Sequence, residues 1–456
     1  MPLRVLRGRI YLEFSASFAH NGRPRYGHLM ETLFTLFAFL LLLQSLVALA
    51  AALRFARYAL RVPAGRLGRY QPKAAVVVPC RGLDLEFEEN IRPLFAQDYH
   101  DYELIFVTES EADPAHAALS GLIRQSHRSA WLVVAGEAEG RGQKIHNLCA
   151  ALDTLNAIDR RVEVLVFADA DARPGRDWLA ELVAPLGDPK IGATTGFRWY
   201  LPARGRLSSL LLAAWNASAL TLLGERSGFA WGGATAVRRE TFDQLGVRRR
   251  WEGALSDDYV LTRAVHEADQ RIKFVPPCLM GTRTDAGWDE LLEFSTRQMT
   301  ITRIYAPRVW GLACATHSFY NLAFWGGLGM LLVTGLGGGA SETLASLLLA
   351  IFALGAMAGW VRAVVASHLL SAHHRAGRPH WWAFLCLGPL VSLVYLYNLI
   401  ASARTNRVVW RGIGYEMVSP SKTVIRQRPA AASPSDQGAG APVRQIGTRV
   451  GAGKKD

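Results

Sequence analysis

The chain has 456 residues, half of them hydrophobic and a fifth charged, and a formal net charge of +13. Its mean hydropathy of +0.12 is high for a soluble enzyme and points to membrane segments. Five cysteines, at positions 80, 149, 278, 314 and 386, are scattered and free of C-x-x-C spacing, which argues against both a disulfide framework and a zinc site.

In chain order, a basic segment over 1–28 leads into the run TLFTLFAFLLLLQSLVALAAAL, inside a predicted transmembrane helix over 29–54. Its 22 residues, at roughly 1.5 Å each, span a hydrocarbon core of about 30 Å. The run is too long, and too poor in a small-residue cleavage site, for a signal peptide. Arg54, Arg57, Arg61, Arg66, Arg69 and Lys73 crowd its exit. This positive-inside pattern places the following domain in the cytosol and accounts for the basic charge without nucleic acid.

Residues 73–305 have ordinary globular composition and read as one domain. KAAVVVPC is an apolar run ending in a turn, and YELIFVTESEADP repeats the arrangement with Glu109, Glu111 and Asp113 at its exit. A helix over about 115–125, the run AWLVVAG, a basic glycine-rich turn, a helix through KIHNLCAALDTL and the run EVLVFADAD follow. Continuous apolar runs alternating with helices predict a doubly wound α/β sheet, whose ligands bind outside the carboxyl ends of the strands.

Asp169 and Asp171 stand two apart at such an end. Alternate residues of an extended segment face one side, so the pair suits a hard divalent cation, Mg²⁺ or Mn²⁺, bridging a nucleotide diphosphate. The same pair also reads as a cap on the next helix. LSDDYVLTRAV reads as a helix start capped by Ser256 or Asp257, with Asp258 placed to take a proton. RLSSLLLAAWNASALTLLG, over 206–224, reads equally as an interfacial helix or a buried core helix.

Three apolar stretches within 309–403 predict a C-terminal membrane bundle. The loop GGGASE lacks Lys and Arg, whereas HHRAGRPH is basic. Counting four spans puts ARTNRVVWRGIGYEM on the far side despite Arg404, Arg407 and Arg411, so either Pro389 marks a broken segment or the charge rule fails there. From 418 to 456 the composition predicts a disordered basic tail.

The motifs VVVPCRG, YELIFVTESEADPA, GQKIHNL, FADADARP, WGGATAVRRETF, LSDDYVL and WRGIGYEM, in this order, resemble glycosyltransferase family 2. Within it they are most similar to the membrane-bound ceramide glucosyltransferases and hopanoid-biosynthesis glycosyltransferases. The resemblance implies a GT-A-like domain, a UDP-sugar donor, a divalent metal and inversion at the anomeric carbon. It implies that Glu109 or Glu111 contacts the uracil or ribose, that Lys144 and Asn147 lie near the nucleotide sugar, and that Asp169 and Asp171 bind metal. Asp258 matches the catalytic base, and Trp231, Gly232 and Gly233 match a turn beside the acceptor.

One departure stands out. The family's (Arg/Gln)-x-x-Arg-Trp motif is replaced by RQMTITRIY, with Thr300 and Ile301 at the Arg and Trp positions. Arg297, Gln298 and Arg303, with Asp257, are the remaining candidates for leaving-group or acceptor contacts, and Trp288 or Tyr305 for the aromatic. The expectation is an integral membrane enzyme of the bacterial inner-membrane type, with a cytoplasmic domain moving a sugar from UDP to a lipid hydroxyl. A polysaccharide synthase, or a non-catalytic protein binding nucleotide sugar or lipid, is the alternative.

Overall fold

The computed structural model describes residues 25–61, 70–158, 161–336, 341–371, 380–428 and 448–450. Expectations for residues 1–24, for Arg66 and Arg69, for positions 337–340 and 372–379, and for 429–447 and 451–456 fall outside these residues.

Helix α1 (Arg25–Arg61) precedes the α/β domain. The domain runs β1 (Ala74–Pro79), α2 (Phe87–Phe95), β2 (Tyr102–Thr108), α3 (Pro114–Gln125), β3 (Ala130–Val134), α4 (Gln143–Ile158) and β4 (Val164–Ala168). It continues through α5 (Trp178–Val183), β5 (Ile191–Pro202), α6 (Leu207–Ala217), β6 (Ala234–Arg238), α7 (Asp257–Glu267), β7 (Arg271–Thr284) and α8 (Trp288–Tyr305). Then come α9 (Pro307–Leu336), α10 (Glu342–Ser371), α11 (Trp381–Cys386), α12 (Gly388–Arg404), β8 (Arg407–Trp410), β9 (Ile413–Ser419), β10 (Lys422–Gln427) and β11 (Thr448–Val450).

The main sheet has the order β11-β3-β2-β1-β4-β6-β5-β7. Strands β1 to β4 pair in parallel, with Val76 opposite both Leu104 and Val166. Strand β6 runs antiparallel to β4 and β5, so the sheet is mixed where the sequence predicts only parallel runs. Period-2 alternation covers both faces. Ala74, Val76 and Val78 join Phe106 and Trp178 in one apolar core, while Ala75 and Val77 join Phe167 and Trp251 in the other. Asp113 caps α3 by accepting from Ala115 N at 2.9 Å, with Pro114 in the first turn.

Three helical segments, Leu29–Arg61, Pro307–Leu336 and Glu342–Leu370, are long and apolar enough to cross a membrane. Among the described residues, those up to Val47 and those within Ser318–Leu354 form one compact unit, packed around Ala38, Leu41, Phe324, Leu348 and Ile351. The α/β domain lies in the second unit. Where a third C-terminal span is expected, the chain breaks at Leu387 into helices of 6 and 17 residues. Pro389 in the first turn of α12 lacks the N–H that a continuous helix would use there. Helix α12 packs on the α/β domain, with Trp215 stacked on Tyr395 at 5.1 Å.

Of the two readings of the charge conflict, the broken segment is the one the structure has. Strands β8 to β10 form a second sheet against the α/β domain, so Arg407 and Arg411 lie on that domain's side. Ordered structure also reaches past Val418, the start of the expected disordered tail, because Lys422–Gln427 pairs with β9. Of the two readings of 206–224, the structure has the core helix: most of α6 is buried. Ser208 and Ser209 donate to Ala286 O, and Asn216 Nδ2 donates to Arg198 O.

Candidate active site

Strand β4 ends at Ala168, so Asp169 and Asp171 emerge at the carboxyl edge of the sheet. Because β6 runs the other way, its leading residues Trp231, Gly232 and Gly233 reach the same edge, and Asp169 N donates to Gly233 O at 3.1 Å. The turn is pinned by Trp231 N to Thr195 Oγ1 at 2.8 Å and Thr235 Oγ1 to Trp231 O at 2.6 Å. A Cβ on Gly232 would lie 2.5 Å from Asp257 Oδ2, and one on Gly233 would lie 2.5 Å from Asp169 Oδ2. Only glycine lets this backbone close over the carboxylates.

Acidic and basic side chains alternate across the edge. Arg198, on β5, donates to Asp171 Oδ2 at 2.8 Å and to Asp169 Oδ2 at 2.7 Å. Lys144, in the first turn of α4, lies 2.9 Å from Asp169 Oδ1 and 3.3 Å from Asp257 Oδ2, and donates to Gly232 O at 3.2 Å. The ammonium's three N–H groups thus meet three acceptors. Burial alone would raise the pKa of Asp169, but Lys144 and Arg198 outweigh it and hold the carboxyl below its usual value. At Asp257 burial wins over Lys144 and pushes the pKa up to about 7.

Ser256 caps α7, and Asp257 turns inward to Lys144. Asp258 faces the glycine turn: Oδ1 accepts from Tyr259 N at 2.8 Å and from Ser256 Oγ, while Oδ2 accepts a long 3.4 Å bond from Gly232 N. The approach to this loop is set by Tyr305, whose hydroxyl accepts from Leu255 N at 2.8 Å.

The structure brings together Lys144, Asp169, Asp171, Trp231, Gly232, Gly233, Asp257 and Asp258. The other candidates make separate contacts. Glu109 is held by Arg81 and by Arg428 Nη1 at 2.6 Å, and Glu111 is exposed. Asn147 is buried, its Oδ1 accepting from Gln143 Nε2 at 2.9 Å, so it shapes the loop before α4. Arg303 donates to Thr405 O at 3.1 Å, and Gln298 is half-buried on α8. Arg297 donates to Val409 O at 3.1 Å and lies against the Phe294 and Trp410 rings, and its burial lowers its pKa to about 10. Thr300 and Ile301 face the interior, where Ile301 packs with Leu255, Tyr415 and Met417, so those motif positions serve packing here. Trp288 is largely exposed.

Sequence reasoning missed Arg198, Asp84 and Arg411. Arg198 carried a signal, a lone charge in the otherwise buried run GFRWY. Asp84, after β1, is met by Arg411 Nη2 at 2.7 Å, a pairing across 327 positions that no local pattern announces.

The carboxylate pair can be tested against a divalent cation. Both oxygens of Asp169 and Asp171 Oδ2 are engaged by cations, while Asp171 Oδ1 is buried without a hydrogen-bond partner. No group of three or more His, Cys, Asp or Glu able to hold a metal occurs among the described residues. An orphaned carboxylate oxygen beside a second carboxylate fits a hard cation that takes its other ligands from a bound diphosphate and water.

A mixed α/β sheet with carboxylates and cations at its carboxyl edge, together with three helices among the described residues able to cross a membrane, defines a membrane-type α/β protein, in keeping with the fold class expected from the sequence. The chain belongs to glycosyl transferase family 21, whose model matches residues 37–423. Ceramide glucosyltransferase 1 of Caenorhabditis elegans is 21% identical over 200 residues, 42% of this chain and 42% of that one. Ceramide glucosyltransferase 3 of the same species is 33% identical over 81 residues, 18% of each chain. Among solved structures, a mannosyltransferase from Pyrobaculum calidifontis in complex with GDP-Man and Mn²⁺ is 20% identical, with a TM-score of 0.43 over 81% of this chain and 98% of its own. Glucosyl-3-phosphoglycerate synthase from Mycobacterium tuberculosis, with Mn²⁺ and UDP-glucose, is 21% identical, with a TM-score of 0.31 over 50% and 77%. The matches span less than half of the two nematode enzymes, and the structural likeness is too loose to assign a donor, a metal or an acceptor.

Proposed function

We propose that this protein is a membrane-bound inverting glycosyltransferase that moves a hexose or N-acetylhexosamine from a UDP-sugar to a lipid hydroxyl such as that of a ceramide or hopanoid. The observation that carries the reading is Asp258, fixed at the start of α7 with Oδ2 in only a long bond to Gly232 N, beside the Lys144–Asp169–Arg198 array.

In this reading the sugar's anomeric carbon sits between Asp258 and the cations. Asp258 takes the proton of the acceptor hydroxyl as its oxygen attacks that carbon, and the bond to the diphosphate breaks on the opposite face, inverting the centre. Lys144 and Arg198 supply positive charge near the departing diphosphate. Asp171, with Asp169 if Arg198 gives way, would hold a divalent cation, which when bound adds charge stabilisation for the leaving group.

Family membership and the nematode relatives' names support a lipid acceptor. So does the apolar cover beside the site: Trp199, next to Arg198, stacks on Phe384 of α11 at 4.7 Å, and Trp381 and Trp382 of that helix are exposed. Exposed tryptophans of this kind favour the membrane–water interface. Arg54, Arg57 and Arg61 end α1, and Arg404 ends α12. Together they support a cytosolic domain at a bacterial-type inner membrane.

The test incubates membranes containing the full chain with a panel of labelled UDP-sugars, Mn²⁺ or Mg²⁺, and native lipid extract. Label entering the organic phase above empty membranes is expected for at least one sugar. Label appearing only in polymer would overturn the lipid acceptor, and the absence of both hydrolysis and transfer with every donor tested would overturn the enzyme.

A further inference from the structure

The sheet that follows the apolar helices carries a cation into the site. Between β8 and β9 the chain turns at Arg411 and Gly412, with φ of 52° and 78°. A non-glycine residue in this region is uncommon and persists only where its surroundings hold it. Here they do: Arg411 O accepts from Arg81 Nε at 3.2 Å, and Arg411 Nη2 lies 2.7 Å from both Asp84 oxygens.

The hairpin is anchored from several directions. Gln143 N donates to the Tyr415 hydroxyl at 3.2 Å, and Val408, Ile413, Tyr415 and Met417 pack with Leu255 and Ile301. Beyond β10, Arg428 donates to Glu109 Oε1 at 2.6 Å and to Ala138 O at 2.7 Å. Arg411 is thus aimed from a fixed frame, and the carboxylates of Asp84, Asp171 and Asp169 hold its guanidinium charged.

The cations at this edge differ in what they have left to give. Lys144 has its three N–H groups on three acceptors, and Arg198 is spread between Asp169 and Asp171. Arg411 bonds one carboxylate through Nη2 and is 42% exposed. A guanidinium's remaining donors match phosphate oxygens in pairs.

We propose that Arg411 leaves Asp84 to bind the donor's diphosphate, which makes the β8–β10 sheet a working part of the nucleotide-sugar site. This rests on the reading of the site as a glycosyltransferase centre.

UDP binding to the detergent-solubilised full chain tests it by calorimetry on wild type, Arg411→Gln, Arg411→Lys and Asp84→Asn. Arg411→Gln should weaken UDP at least tenfold and Arg411→Lys less, whereas Asp84→Asn, which frees the guanidinium, should tighten UDP two- to fivefold. A purely structural Arg411–Asp84 tie predicts the opposite sign for Asp84→Asn, because both partners would then matter alike. Unchanged binding in Arg411→Gln, or weaker binding in Asp84→Asn, overturns the proposal. If Arg411→Gln fails to fold, Asp84→Asn decides alone. A wild type that binds neither UDP nor GDP overturns the glycosyltransferase reading itself.

Discussion

Arg198 Nη2 lies 2.7 Å from Asp169 Oδ2, and both side chains are at least four-fifths buried. Removing Arg198 leaves Asp169 with Lys144 alone and takes the cation from Asp171 Oδ2, at a cost of about 3 kcal/mol. Arg198→Met is expected to lower the thermal midpoint of the solubilised protein by several degrees. The double variant with Asp169→Asn should lose less than the sum of the two single losses, since the groups share one network. Strict additivity would contradict the pairing.

Gly232→Ala puts a methyl group 2.5 Å from Asp257 Oδ2 and 2.9 Å from Lys144 Nζ. Folding should survive, because the clash falls on side-chain ends at the sheet edge. Transfer activity should fall at least tenfold as Lys144 is pushed off Asp169. An alanine variant with normal activity would mean that this turn does not set the site.

Asp257 titrates near 7 in the fold because burial outweighs Lys144, with Asp258 and Asp169 adding repulsion. Between about pH 4 and pH 7 the unfolded chain has lost this proton while the folded chain keeps it, so stability falls as pH rises. Asp257→Asn removes that term. Its thermal midpoint relative to wild type should therefore climb from pH 4.5 to pH 8, and a difference independent of pH would contradict the assignment.

Tyr305→Phe removes the hydroxyl that accepts from Leu255 N. The freed N–H costs about 1–3 kcal/mol and loosens the loop carrying Asp258. The expected result is a kcat reduced five- to fiftyfold with little change in donor KM, read by steady-state kinetics.

Much of this was legible in the sequence because it was local. Apolar runs such as AAVVVP and VLVFA became buried strands, and Asp169, Asp171 and Asp258 came to one edge because strand ends and helix starts carry them there. What stayed hidden was set by distant partners. Arg198 was overlooked inside an apolar strand, since its carboxylates lie 27 and 29 positions away. Arg411 meets Asp84 because the chain after α12 packs back onto the domain. Glu109 pairs with Arg81 and with Arg428, and the second partner lies in the stretch assigned to a disordered tail, so no local pattern announces it.

The central claim is that Asp258 acts as the base of a transfer reaction. The most direct measurement is single-turnover transfer of labelled sugar from UDP to lipid by wild type and Asp258→Asn, with UDP affinity measured on the same preparations. Asp258→Asn is expected to bind UDP within threefold of wild type and to transfer at least a thousandfold more slowly. Transfer by Asp258→Asn within tenfold of wild type would contradict it.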